Sequence, residues 1–285
     1  MTLCIIMNMI QSKIQVHIPY PILLERFSEV REAGINPEIY LSSKSLDDIS
    51  MGDVRWIKKG LDDKGLNITM HGPYMDLNPG GGDERVRRVT IERYLQFFQV
   101  ADMLNPLVMV LHSGYDRWRY DSNESFWLKQ SIKTWPQFVE KARKIGATIA
   151  VENVFDDNPG TLKMLVETIN SPNFKVCFDP GHWNLFSRFS MEDWFDKIGG
   201  YIAEVHIHDN HGERDDHLAI GDGQIDFNAL FELACNYSKE IILTIEAHNE
   251  EVMWKALKNL EQVLATVPSR SRTNQDEPNC TQRHK

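Results

Sequence analysis

The residues best suited to chemistry lie in short blocks: His71 in HGPY, His112 in HSGY, Glu152 in ENV, Asp179 and His182 in DPGH, His206 and His208 in VHIHDN, Asp215 and His217 in DDH, and Glu246 and His248 in EAH. Imidazole and carboxylate without thiolate is the ligand set of a catalytic Zn²⁺, Mn²⁺ or Fe²⁺ centre, not of a structural zinc knuckle. Such an ion polarises a carbonyl or phosphoryl oxygen, and carboxylates beside it move protons. Taken singly, a histidine after a strand is usually a hydrogen-bonding loop residue, and a glutamate there is usually a helix cap or a solvated charge. Joint placement points instead to a metal centre. His206 and His208 stand two apart on a strand and share a face, which turns Asp209 the other way, toward a loop-structuring role. Asp215 and His217 reach one ion from an extended loop, with Asp216 pointing out. Asp179-Pro180-Gly181-His182 reads as a tight turn that brings its carboxylate and imidazole onto neighbouring ions.

Eight strand-like runs position these blocks: 14–18, 38–41, 67–70, 107–111, 148–151, 175–178, 203–207 and 241–245. They are short and apolar, which suits strands buried on both faces. Between them lie helical patterns at 22–33, 53–64, 84–104, 126–145, 161–169, 191–198, 227–236 and 250–266. In 84–104, Val89, Tyr94, Phe97, Phe98, Ala101 and Leu104 mostly recur at three and four. The alternation predicts one α/β domain over 1–266, a (β/α)8 TIM barrel, since right-handed crossovers return each strand to the same sheet. No G-x-G-x-x-G follows the first strand, so a dinucleotide fold is not indicated. Residues 267–285 are polar, without hydrophobic period, and read as a disordered tail. In such a barrel the chemistry sits where strands run into helices. Eight of the ten histidines fall on that rim; His17 and His284 are expected to lie off it.

The chain has 285 residues, 42% hydrophobic and 25% charged, which suits a globular barrel of about 250 residues. Four scattered cysteines form no C-x-x-C, so neither a disulfide framework nor a thiolate zinc site is expected, and a reducing compartment fits. The N-terminal MTLCIIMNMIQSK lacks a basic n-region and a cleavage site, and no run approaches about 18 apolar residues. A cytoplasmic protein without a membrane span is therefore expected. A net charge of −10 sets it against a broad nucleic-acid surface.

At HGPY, HSGY, ENV, DPGH, VHIHDN, D-x-H, GDGQIDF and the final IE, in that order, the sequence resembles the xylose-isomerase-like barrel superfamily. That group includes endonuclease IV, tagatose-type epimerases and proteins called sugar phosphate isomerase/epimerase. The resemblance runs over about 14–264. The endonuclease IV pattern implies three zinc ions. His71 and His112 would hold the first, with Glu152 bridging to a second completed by Asp179, His206 and Glu246. His182, Asp215 and His217 would hold the third. The epimerase pattern implies one ion on Glu152, Asp179, His206 and Glu246. Here FDPGH replaces the D-T-C-H form of endonuclease IV, and VHIHDN its V-H-x-N-D form. Tyr74 and Met75 match residues that wedge into DNA, and Tyr74 reads equally as a loop anchor.

Two reactions follow, on a divalent metal, Zn or Mn, with one ion in the first and three zincs in the second. The first is isomerisation or epimerisation of a sugar or sugar phosphate, with Glu152 and Glu246 exchanging the proton next to a polarised carbonyl. His182 acts with them, and His208, Tyr74 and Arg117 bind substrate. A phosphate would be met by Arg85, Arg87, Arg88, Arg117, Arg119 or the glycine-rich loop 80–82 at a helix N-terminus, although these read as readily as a solvated face and a flexible turn. The alternative is phosphoester hydrolysis of abasic DNA at three zincs, the one reading with a nucleic-acid partner. A non-catalytic sugar or metal binder would keep the same ligands without a functional acid/base pair, a reading that the paired glutamates on separate strands oppose.

Overall fold

The computed structural model describes residues 14–237 and 240–266. The expected tail at 267–285, the N-terminal segment, His284, Cys4 and Cys280 lie outside the described residues. Eight strands alternate with helices: β1 (Ile14–Pro19), β2 (Asn36–Tyr40), β3 (Thr69–His71), β4 (Val108–His112), β5 (Thr148–Glu152), β6 (Phe174–Phe178), β7 (Ile202–Ile207) and β8 (Ile242–Ile245). They close in sequence order into one parallel barrel, sealed where Ile14–Val16 pair with Leu243–Ile245. The (β/α)8 expectation holds. Among the described residues no helix is long and apolar enough to cross a membrane.

The helices are α1 (Tyr20–Glu25), α2 (Phe27–Ala33), α3 (Ser43–Asp48), α4 (Met51–Asp62), α5 (Glu84–Leu104), α6 (Glu124–Ile145), α7 (Gly160–Ile169), α8 (Pro180–Phe186), α9 (Met191–Ile198), α10 (Phe227–Tyr237) and α11 (Glu250–Thr266). Side-chain caps start several of them: Asp83 accepts from the Arg85 N–H on α5, and Asn123 from the Phe126 N–H on α6. The expected helix 22–33 breaks at Arg26 into α1 and α2. The expected turn at DPGH is the first turn of α8. Pro180 stands at N1, where its missing N–H costs nothing, and Asp179 is the N-cap, its Oδ1 accepting from the His182 N–H at 2.7 Å.

Strand alternation sorts the core into two parts. Outward residues such as Val16, Ile39, Met70, Leu111, Val151, Phe178, Val205 and Ile245 pack under the helices with Phe97, Trp127, Trp135 and Trp194. Each such buried side chain contributes about 1.5–3 kcal/mol. Inside the barrel, Val108, Val110, Ala150, Cys177 and Ile242 form a small separate apolar cluster. The remaining inward positions include Gln15, Glu38, Thr69, Glu204 and Thr244, all polar and fully buried. Polar groups at that depth persist only when satisfied by one another or by a ligand.

Candidate active site

The strand ends bring the expected ligands together. His71, His112 and Glu152 are the last residues of β3, β4 and β5, and Asp179, His208 and Glu246 directly follow β6, β7 and β8. Glu152 is the hub: its Oε2 lies 3.1 Å from His71 Nε2 and 3.0 Å from His112 Nε2. Its Oε1 lies 3.0 Å from His182 Nδ1 and 3.6 Å from His206 Nδ1. His206 Nδ1 is also 3.4 Å from Glu246 Oε1 and 3.7 Å from Asp179 Oδ2. At the outer edge, Asp215 Oδ2 lies 3.4 Å from His182 Nε2 and 3.2 Å from His217 Nε2. The loop there is turned, not extended as expected: His217 takes a left-handed φ of 49°, which folds its ring back onto Asp215.

Backbone contacts orient the rings. His71 Nδ1 donates to the Gly72 carbonyl at 2.9 Å, so its Nε2 is the nitrogen left to face Glu152. His182 Nδ1 likewise meets the Asn153 carbonyl at 3.0 Å. Tyr74 stacks on His112 with ring centroids 4.5 Å apart. His208, assigned to substrate by the sequence, is fully buried, and its Nε2 hydrogen-bonds Asp179 Oδ2 at 3.0 Å. The rings of His208, His217 and His248 stack in a row, 4.0 and 4.4 Å apart. Asp209 structures a loop as expected: it accepts from the Gly221, Gly223, Ile225 and Asn210 N–H groups at 2.9–3.1 Å. A Cβ on Gly223 would lie 2.3 Å from its Oδ1, so this close approach needs glycine.

His17 corrects the sequence reading. The histidine expected off the rim lies on the inner face of β1. Its Nδ1 sits 2.8 Å from Glu38 Oε1 and 3.1 Å from Glu246 Oε1. The sequence reading missed it because it counted residues after strands, whereas His17 lies within one. Glu38 and Glu204 were missed for the same reason. Glu204, His206 and His208 recur at every second residue, and that period was the signal available. Thr244 Oγ1 donates to Glu204.

Arg117 is bound to Asp157 at 2.8 Å, with its guanidinium 4.3 Å over the Trp118 ring. Arg87 donates to the Gly81 and Gly82 carbonyls, and Asp83 occupies the α5 N-terminus. Arg85, Arg88 and Arg119 are exposed.

Electrostatically the site is a knot of carboxylates and imidazoles. Among the described residues, none of Glu152, Asp179 and Glu246 has a lysine or arginine partner. Burial pushes the Glu152 carboxyl up, and His112 and His206 outweigh it, holding it well below the usual range. Glu246 is depressed in the same way, burial being overcome by His206 and His17. Burial works to lower the His17 imidazole, but Glu246 and Glu38 raise it to about 10.

The donor set fits a divalent ion. Two ligands of a tetrahedral ion at about 2.1 Å stand about 3.4 Å apart, and the separations from His206 Nδ1, 3.4, 3.6 and 3.7 Å, lie at or just above that spacing. His206 is fully buried with neither ring nitrogen hydrogen-bonded, an orphan that an ion would satisfy. His71, His112 and Glu152 form one group able to hold an ion, and Glu152, Asp179 and His182 another.

The chain belongs to the xylose isomerase-like TIM barrel family, whose model matches residues 33–267. Two uncharacterized proteins of Methanocaldococcus jannaschii are similar to it. One is 30% identical over 226 residues, 77% of each chain; the other is 32% identical over 212 residues, 70% of this chain and 78% of the relative. Among solved structures, a D-tagatose 3-epimerase-like protein is similar at 27% identity with a TM-score of 0.77, over 90% of this chain and 98% of its own.

Proposed function

We propose that the protein is a divalent-metal-dependent sugar epimerase or isomerase that moves the proton on the carbon next to the substrate's carbonyl. One observation carries this reading: Glu152 and Glu246, from strands three apart, bring their Oε1 atoms within 3.6 and 3.4 Å of one unpartnered nitrogen of His206. On this reading one cluster of side chains supplies both the ion ligands and the proton-transfer pair. The likeness to the D-tagatose 3-epimerase-like protein supports a sugar as substrate.

Glu152, Asp179, His206 and Glu246 would hold a zinc or manganese ion, which when bound polarises the carbonyl and stabilises the charge growing on its oxygen. The two glutamates are held ionised, so one takes the proton from carbon. For epimerisation the other must first take up a proton from solvent, which it delivers to the opposite face of the carbon, and the first then loses its proton to solvent. His182, 12% exposed and anchored at Nδ1, turns Nε2 toward Asp215 and the mouth of the pocket, where it orients a substrate hydroxyl. Tyr74 walls the other side through its stack on His112. His208 braces Asp179 from behind. The arginines expected to meet a phosphate are exposed or engaged, and Asp83 already fills the α5 N-terminus.

A second reading, a three-zinc phosphoester hydrolase acting at abasic DNA, is favoured by the convergence of His71, His112, His182, Asp215 and His217. A one-ion epimerase does not need these as ligands. Elemental analysis of protein purified without chelator separates the two. About one ion per chain with turnover of a ketose supports the epimerase. Near three zincs, cleavage of abasic DNA and no ketose turnover supports the hydrolase and refutes the first reading.

A further inference from the structure

Below the ligands, on the floor of the pocket, the barrel carries a carboxylate with no assigned role. Glu38 lies on the inner face of β2, fully buried, and Glu204, Thr244, Thr69 and Gln15 are buried at inward positions of neighbouring strands. Inward positions of this fold are ordinarily filled by branched apolar residues. Burying a carboxylate there is strongly unfavourable unless charge-assisted contacts compensate it. Two imidazoles face Glu38, and the Glu204 carboxyl, pushed well above its usual range by burial and by Glu38, lies beside it. Glu38 Oε1 is 2.8 Å from His17 Nδ1, and Oε2 is 3.6 Å from His206 Nε2. His17 Nδ1 continues to Glu246 Oε1 at 3.1 Å.

We propose that Glu38 is the positioning residue of the centre, a single carboxylate that orients His206 directly and Glu246 through His17. This rests on the metal-dependent reading above. The physical reason is rotational. His206 Nδ1 faces Glu152, Asp179 and Glu246, while Glu38 Oε2 stands 3.6 Å behind Nε2, beyond hydrogen-bond length, where its charge favours the proton on that nitrogen. The ring is then held in the tautomer whose Nδ1 lone pair is free for an ion. His17 performs the equivalent task for Glu246: it spans the two carboxylates and keeps Oε1 turned toward His206. Its ring is itself stacked on Tyr40, 5.3 Å between centroids, so it cannot swing away without losing that contact. Two ligands from the adjacent strands β7 and β8 are thereby referred to one anchor on β2, a strand that supplies none of the four ligands named above.

The test is metal affinity of the whole protein, read by competition against a chelating dye and scaled to the folded fraction from circular dichroism. Glu38→Ala is expected to weaken zinc binding 10- to 100-fold, the usual effect of removing a carboxylate behind a ligand histidine. Glu38→Gln keeps the shape and one acceptor, and is expected to recover part of that loss. Bound cobalt gives a second readout: its visible absorption band should shift in both variants, because a reoriented His206 changes the ligand field. If Glu38→Ala does not fold, the isosteric Glu38→Gln decides alone, with a loss of about fivefold or more expected. Unchanged affinity and an unchanged cobalt band in folded variants overturn the role of Glu38 and leave the metal-dependent reading standing. A wild-type protein that binds no divalent ion overturns both.

Discussion

The hydrogen that Gly181 carries in place of a side chain faces the ring of His208: a Cβ there would lie 2.0 Å from His208 Cε1. The two residues come from different strand ends, yet one exists in its present form because of the other. Only a glycine on α8 leaves room for the ring that braces Asp179. Gly181→Ala should therefore displace His208, lowering stability by about 1–3 kcal/mol through overpacking. It should also weaken metal binding. Denaturant unfolding and dye competition check the pair; an alanine variant with wild-type values in both would contradict the packing described.

Asp209 makes a different kind of prediction, one about a loop. Its carboxylate collects four backbone N–H groups and so pins the segment after Asp215 and His217. Asp209→Ala leaves those donors without a charged acceptor and should cost about 3 kcal/mol. The check is the denaturation midpoint, with limited proteolysis locating new cleavage between 210 and 225.

Glu246→Gln should reduce turnover by at least about 100-fold with the fold intact, since on the proposed reading Glu246 is both a proton-transfer group and a ligand. Steady-state kinetics on the substrate found in the ketose panel measure it. Unchanged turnover would refute the site.

His112→Ala separates the two reactions. It should dent a one-ion epimerase severalfold and cripple a three-ion hydrolase, in which His112 would be a ligand. Activity and zinc content measured on the same preparation show which.

Asp156 predicts a pH dependence. Burial, with Asp157 and Glu124 nearby, raises its carboxyl from 3.8 to about 7, against the pull of the Val154 N–H. The folded protein thus holds this proton more tightly than the unfolded chain does. The resulting stability is fully present below pH 3.8 and is lost as pH rises through about 7. Asp156→Asn removes that dependence. Relative to wild type it should gain stability between pH 5 and pH 8, by no more than about 4 kcal/mol. A wild-type-minus-variant difference that stays flat with pH would refute the burial effect.

The barrel was legible in the sequence because its signal is local. Each strand is a short β-branched run, each helix has its period, and eight repetitions leave few topologies open. The rim cluster of histidines and carboxylates was legible too, since in a closed parallel barrel the residue ending a strand must face the rim. Errors arose where local chemistry had two outcomes. DPGH suits a turn or a capped helix start equally, and Asp179 capping His182 chose the helix. The 22–33 pattern is helical throughout, and the break at Arg26 comes with its guanidinium pairing with Glu29 and with the distant Glu250.

By itself the sequence determined the order of elements and the histidines and carboxylates that end strands, because both depend on spacing along one chain. Only the tertiary structure decided that His17 and Glu38 join the centre, that Gly181 makes room for His208, and that Arg117 is held by Asp157. These are distances between residues far apart in sequence, set by barrel closure and strand register, and spacing along the chain does not encode them.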